Sequence, residues 1–106
     1  MIYSEKGFEI ELTGNELEFS GKLEKMDYSE IDQFLRDVDA QVSGDVCILR
    51  FNRLAYLNSS GIRAVASFVI ESSKRFEIHI DRAVTWQKTN IPVLETLKPD
   101  RIRIVS

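Results

Sequence analysis

The residues best placed to do chemistry are Asn58-Ser59-Ser60-Gly61, with Leu54-Ala-Tyr-Leu57 before them and Ile62-Arg63 after. Two hydroxyls follow an amide, and a glycine then permits close packing. An apolar strand leads into the run and an apolar helix leads out of it. At such a junction the first backbone N–H groups of the helix and the serine hydroxyls face the same patch of solvent. Ser59 reads as the N-cap, its oxygen accepting from an N–H of the first turn. Two uses of Ser59 stay open on these grounds. It caps a helix and does nothing more, or it accepts a phosphate, which would meet the positive end of the helix dipole and add about −2 charges to the surface without a change of fold.

Other chemistries find fewer supports. His79 is the only histidine, and alternation places it on the polar side of its strand, so Ser59 and Ser60 lack the adjacent base a nucleophile requires. Cys47, the only cysteine, lies in the apolar Val46-Cys-Ile-Leu49 and reads as a buried small hydrophobe. No Cys/His cluster offers a zinc site, and Gly7, Gly14, Gly21, Gly44 and Gly61 stand singly rather than in a phosphate-cradling loop. Glu9 and Glu11 read as a solvated strand face. We therefore expect no catalytic residue, metal or cofactor. ATP or GTP at the serine loop is a further, weaker option. A net charge of −3 disfavours nucleic acid as a partner. No apolar run approaches the roughly 20 residues that cross a bilayer, and Met1-Ile-Tyr-Ser-Glu-Lys6 lacks the order of a secretion signal. The expected location is the cytoplasm, without membrane insertion. A chain of 106 residues, 43% hydrophobic and 29% charged, suits one folded domain over residues 1–106.

The elements that must position the serines follow from periodicity. Phe8, Ile10 and Leu12 alternate with Glu9 and Glu11; after a Thr13-Gly-Asn-Glu16 turn, Leu17, Phe19, Gly21 and Leu23 alternate with Glu18, Ser20 and Lys22. This is an antiparallel hairpin. Ile31, Phe34, Leu35 and Val38 make a helical stripe, with Ser29 and Asp32 spaced as a capping box and Ser43-Gly44 as the stop. Val46–Phe51, apolar on both faces apart from Arg50, reads as a central strand covered on both sides. Ile62, Val65, Ala66, Phe68 and Val69 line a helix running to about Lys74 and Arg75, cations suited to its C-terminus. Phe76, Ile78 and Ile80 make the next strand. Thr85–Leu97 is helical, with Trp86, Ile91, Leu94 and Leu97 facing the core; Pro92 either opens a short helix capped by Asn90 or kinks a longer one. Ile102 and Ile104 close the chain in a last strand.

After the hairpin each helix is a crossover between parallel strands, giving an α/β fold with a mixed sheet of about five strands. Because most strands are apolar on one face only, the helices should lie on one face. The other face should be open and carry Glu9, Glu11, Glu18, Lys22, Glu77, His79 and Arg50.

Ile48-Leu-Arg-Phe-Asn-Arg-Leu-Ala-Tyr-Leu-Asn-Ser-Ser-Gly-Ile62 resembles the signature of the STAS domain, the fold of bacterial anti-sigma-factor antagonists. There an apolar strand carries Asp-Leu-Ser, and Asp-Ser-Ser-Gly-Leu opens a helix a few residues on. Gly21-Lys-Leu-Glu24 resembles that family's earlier Gly-x-Leu-Asp element. The resemblance covers nearly the whole chain. It implies a STAS-like fold and a phospho-switch in which a GHKL-type serine kinase, often also the anti-sigma factor, phosphorylates Ser59, and a PP2C-type phosphatase reverses this. Asn58, Ser59, Ser60, Gly61, Ile62, Arg63 and Glu24 would form the partner surface. The chain departs from the pattern at Asn58 and Arg50, each standing where the family has Asp, so both remove negative charge near the acceptor. Arg63 replaces the usual glycine four residues after Ser59, where a guanidinium could pair with phosphate. Trp86-Gln-Lys-Thr-Asn-Ile-Pro92 is unlike the usual end of the family. The departures motivate an alternative, a non-phosphorylated STAS scaffold subunit of a larger assembly such as a lipid-transport ATPase.

Overall fold

A computed structural model describes residues 1–106. Its elements run β1 (Ile2–Glu5), β2 (Phe8–Thr13), β3 (Glu16–Leu23), α1 (Ser29–Gln41), β4 (Val46–Leu57), α2 (Ser59–Glu71), β5 (Arg75–His79), α3 (Thr85–Asn90), a 3-10 segment Pro92–Thr96, and β6 (Ile102–Val105). The sheet has six strands in the spatial order β1-β2-β3-β4-β5-β6, so chain order is also spatial order. β1, β2 and β3 pair antiparallel; β3, β4, β5 and β6 pair parallel. The mixed α/β arrangement expected from periodicity is present, with six strands rather than about five. The additional strand, β1, lies at the sheet edge with no fully buried residue, so it leaves little hydrophobic signal.

One face of the sheet carries the core. Phe8, Ile10, Leu17, Phe19, Cys47, Leu49, Phe51, Phe76, Ile78 and Ile102 join Ile31, Leu35 and Val38 of α1 and Val65, Phe68 and Val69 of α2 in one buried cluster. The residues between them on the strands are exposed or half-buried. β4 is therefore covered on one side only, contrary to the two-sided cover its apolar run implied; Val46 is 37% exposed on the open side. Ion pairs stitch that side together. Arg50 donates to Glu16 at 2.8 Å, Arg53 meets Glu18 at 3.4 Å, and Glu77 takes both His79 and Arg103 at 2.8 Å.

β4 also runs six residues past the expected stop at Phe51. It opens in a period of two, burying Cys47, Leu49 and Phe51, then switches to three, burying Leu54 and Leu57. The change comes from two bulges: Glu18 pairs Arg50 but Ser20 pairs Arg53, and Gly21 pairs Leu54 but Lys22 pairs Tyr56. Each inserts one extra residue into β4. β5 stops at the level of Arg50, so the far half of β4 has no strand on that side. α3 takes its place. Gln87, fully buried, donates from Nε2 to the Phe51 and Leu54 carbonyls at 2.8 and 2.7 Å and accepts from the Asp81 N–H at 2.9 Å. Trp86 donates to the Ala55 carbonyl at 2.8 Å. Buried backbone carbonyls need such partners.

Three local expectations are corrected. The Ser29/Asp32 capping box does not form; Asp27 instead accepts from the Ser29 N–H and hydroxyl. α2 ends at Glu71, with Ser72 at its C-cap, before Lys74 and Arg75. Thr85–Leu97 divides into α3 and the 3-10 segment, Pro92 opening the latter without an Asn90 side-chain cap, and Leu97 is exposed while Ile91 and Leu94 are buried.

Candidate functional site

β3 and β4 end side by side, with Leu23 paired to Leu57, so the Glu24–Tyr28 loop and the start of α2 share one end of the sheet. In parallel sheets the C-terminal strand ends are where loops converge and sites form. Gly21 sets the exit of β3: its φ is +93°, and a Cβ there would lie 2.0 Å from the Gly7 carbonyl oxygen. Only glycine fits.

Asn58, not Ser59, is the N-cap of α2. Its Oδ1 accepts from the Gly61 N–H at 3.0 Å and from the Tyr28 hydroxyl at 2.5 Å, while its Nδ2 donates to the Lys25 carbonyl at 2.9 Å. Its own carbonyl accepts from the Ile62 N–H at 2.9 Å. One amide thus ties the β3–α1 loop to the first turn of α2, using both acceptor and donor. Burial holds the Tyr28 hydroxyl above its usual pKa. Gly61 is required by space, since a Cβ would meet Leu57 Cδ1 at 2.3 Å and the Tyr28 hydroxyl at 2.9 Å.

Ser59 is the first residue of α2 and is exposed, and its hydroxyl makes no hydrogen bond within the chain. Ser60, half-buried, lines a shallow depression with Met26, Tyr28, Asp32, Arg63 and Ala64. Ile62 is half-buried against the core. Arg63 is exposed and has no ion-pair partner within the chain. No acidic residue lies in the first turn of α2. Glu24 stands at the same sheet end, exposed and paired with Lys22 at 3.2 Å. The sheet end therefore brings together Asn58 through Arg63 and, across the β3 exit, Glu24. Arg50 is not part of it. It pairs with Glu16 on the open face, and seven strand residues at about 3.3 Å each set it on the order of 20 Å from Leu57. The expectation that Arg50 alters the charge beside Ser59 is overturned.

Sequence reasoning missed Tyr28, the Lys25 carbonyl and Gln87 as the groups that build this end. Gln87 did leave a signal: it is the polar member of a stripe with Ile91 and Leu94, a position that must hydrogen-bond if buried. Tyr28 and Lys25 left none, because their role depends on where two loops meet.

The fold is that of anti-sigma factor antagonists, the STAS fold. The crystal structure of an anti-sigma factor antagonist from Mycobacterium paratuberculosis superposes with a TM-score of 0.64, covering 93% of this chain and 84% of that one at 16% sequence identity. No family model matches the chain, and no curated protein matches it.

Proposed function

We propose that this chain is a regulatory protein-binding module of the anti-sigma-factor-antagonist kind, docking its partner on the β4–α2 junction and switched by phosphorylation of Ser59. The observation that carries the reading is the division of labour between Asn58 and Ser59. Asn58 caps the helix, so the Ser59 hydroxyl has no structural duty and stands free at the positive end of a helix of 13 residues. A phosphate there gains the helix dipole, with unpaired Arg63 four residues on. Docking would use Asn58, Ser59, Ser60, Gly61, Ile62, Arg63 and Glu24. The kinase would be a GHKL-type serine kinase that also serves as the anti-sigma factor, the eraser a PP2C-type phosphatase, and the setting the cytoplasm; no helix of the chain is long and apolar enough to cross a membrane. Residues 1–106 would act as one domain, binding without catalysis or cofactor. Incubation with such a kinase and ATP should place one phosphate on Ser59, and Ser59→Ala should abolish it.

The Asn58 amide also favours a second reading. Its donor is committed to the Lys25 carbonyl, so no carboxylate frames the acceptor, and the surface would serve a scaffold subunit that is never phosphorylated. Partner binding by Ser59→Asp separates the two: the switch requires weaker binding, whereas the scaffold tolerates the change.

A further inference from the structure

The row of side chains crossing the open face at mid-sheet is complementary to itself. Strand register sets Ile2 beside Glu11, Glu11 beside Glu18, Glu18 beside Arg50, Arg50 beside His79 and His79 beside Val105. All six lie off the core face, exposed or half-buried. From β1 to β6 the row reads apolar, acidic, acidic, basic, histidine, apolar. A two-fold axis parallel to the strands and between β3 and β4 lays β1 over β6, β2 over β5 and β3 over β4. Ile2 then meets Val105 of the second copy, Glu11 meets His79 and Glu18 meets Arg50, each contact made twice. The other in-plane two-fold, across the strands, lays each strand on itself and opposes Glu11 to Glu11 and Glu18 to Glu18, which like-charge repulsion disfavours.

We propose that the open sheet face binds a second copy of this chain, face to face, about a two-fold axis parallel to the strands. Such an interface is isologous and closes at two copies. The charged groups have capacity for it. Glu11 makes no ion pair within the chain, and the Glu18–Arg53 pair is long at 3.4 Å with Arg53 71% exposed. Arg50 gives one nitrogen to Glu16 and keeps further donors. Aligned sheets pack about 10 Å apart and rotated by about 30°, so Glu18–Arg50, beside the axis, is the best-aligned pair. Six strands at about 4.8 Å spacing cover on the order of 500 Å² per copy, less than the roughly 800 Å² per partner of a stable complex. The pair is therefore weak, and its charged centre makes it sensitive to salt. The axis direction sets both β4–α2 junctions at the same end of the dimer, free of the interface, so two docking sites would present to a bivalent partner. The proposal rests on the open face alone and is independent of any role of Ser59.

Sedimentation equilibrium over a concentration series, in low and high salt, tests it. The wild-type chain should dimerise in low salt and dissociate as salt rises. His79→Glu alone should sediment as a monomer, because it sets two carboxylates against each other at both symmetry-related contacts, and Glu11→Arg alone should associate more weakly than wild type, because it removes the acceptor facing His79 at both. Mixed in equal amounts they should recover a heterodimer, with one swapped pair and one native pair. Circular dichroism verifies that both variants are folded; Glu11, exposed and unpaired, tolerates substitution. A wild-type chain that stays monomeric throughout, a dimer indifferent to salt, or a mixture no more associated than its components would overturn the proposal.

Discussion

The Asn58 side chain makes three hydrogen bonds, and the direction of each is set by its partner: Gly61 N–H and the Tyr28 hydroxyl donate, the Lys25 carbonyl accepts. Asn58→Asp keeps the first two and turns the third into a carboxylate facing a carbonyl. We expect a loss of about 1–3 kcal/mol in urea unfolding at neutral pH. Urea midpoints of the two proteins at neutral pH check it; an unchanged midpoint would mean that the Lys25 contact contributes nothing. Gly61→Ala should cost about 1–3 kcal/mol by overpacking against Leu57 and Tyr28. Ser59→Ala, by contrast, removes a hydroxyl without a partner and should stay within about 0.5 kcal/mol of wild type. Were Ser59 the cap, as the sequence implies, the same change would cost about 1 kcal/mol, so this measurement separates the two assignments. The motif identifies the junction, but Asn and Ser are equally good caps; which one serves depends on where α2 begins.

α3 supports the site through β4 rather than by touching it. Gln87 and Trp86 supply hydrogen bonds to the Phe51, Leu54 and Ala55 carbonyls where β5 has ended. Gln87→Leu keeps the volume roughly and leaves two carbonyls and the Asp81 N–H unpaired. We expect a loss on the order of 3 kcal/mol, with faster amide exchange from Leu54 to Ile62 than in β2 and β3. Equal acceleration throughout the sheet would mean that α3 supports the fold generally and not this strand end. Most elements were readable because their periods were clean: Phe8-Ile10-Leu12, Leu17-Phe19 and Phe76-Ile78-Ile80 alternate without interruption. β4 was cut short because its bulges move the buried positions from Cys47-Leu49-Phe51 to a spacing of three at Leu54 and Leu57, and that shift mimics the end of a strand. β1 escaped notice because it buries too little to show a pattern. The two-sided cover read for β4 failed because Val46 and Ile48 are apolar on the open side, where they lie among charged neighbours rather than beneath a second layer.

Across the whole molecule, three carboxylates give stability a modest dependence on pH on the acid side. The Tyr3 hydrogen bond holds Glu5 below the usual carboxylate value, the Arg50 guanidinium does so for Glu16, and His79, followed by Arg103, does so for Glu77. A depressed folded pKa means that each contributes stability above the unfolded carboxylate range, and that the contribution is lost as pH falls through the folded values. Unfolding midpoints should therefore fall below about pH 4.5, and less so in Glu77→Gln. These groups are solvated, so each effect is small and reduced by salt. The fold was legible as a whole because chain order and spatial order coincide in the sheet, so no strand had to be placed by long-range reasoning. The β4–α2 end was legible only in part: the serines lie in one contiguous run, whereas Lys25 and Tyr28 come from the β3–α1 loop and Gln87 acts through β4 from α3. Control of the β4–α2 surface through Ser59 is the central proposal. Mass-spectrometric mapping of phosphate, after incubation of the intact chain with ATP and a GHKL-type serine kinase from its own host, tests that claim most directly. Phosphate on Ser59, absent from Ser59→Ala, is the result expected; phosphate on another residue, or on none, would contradict it.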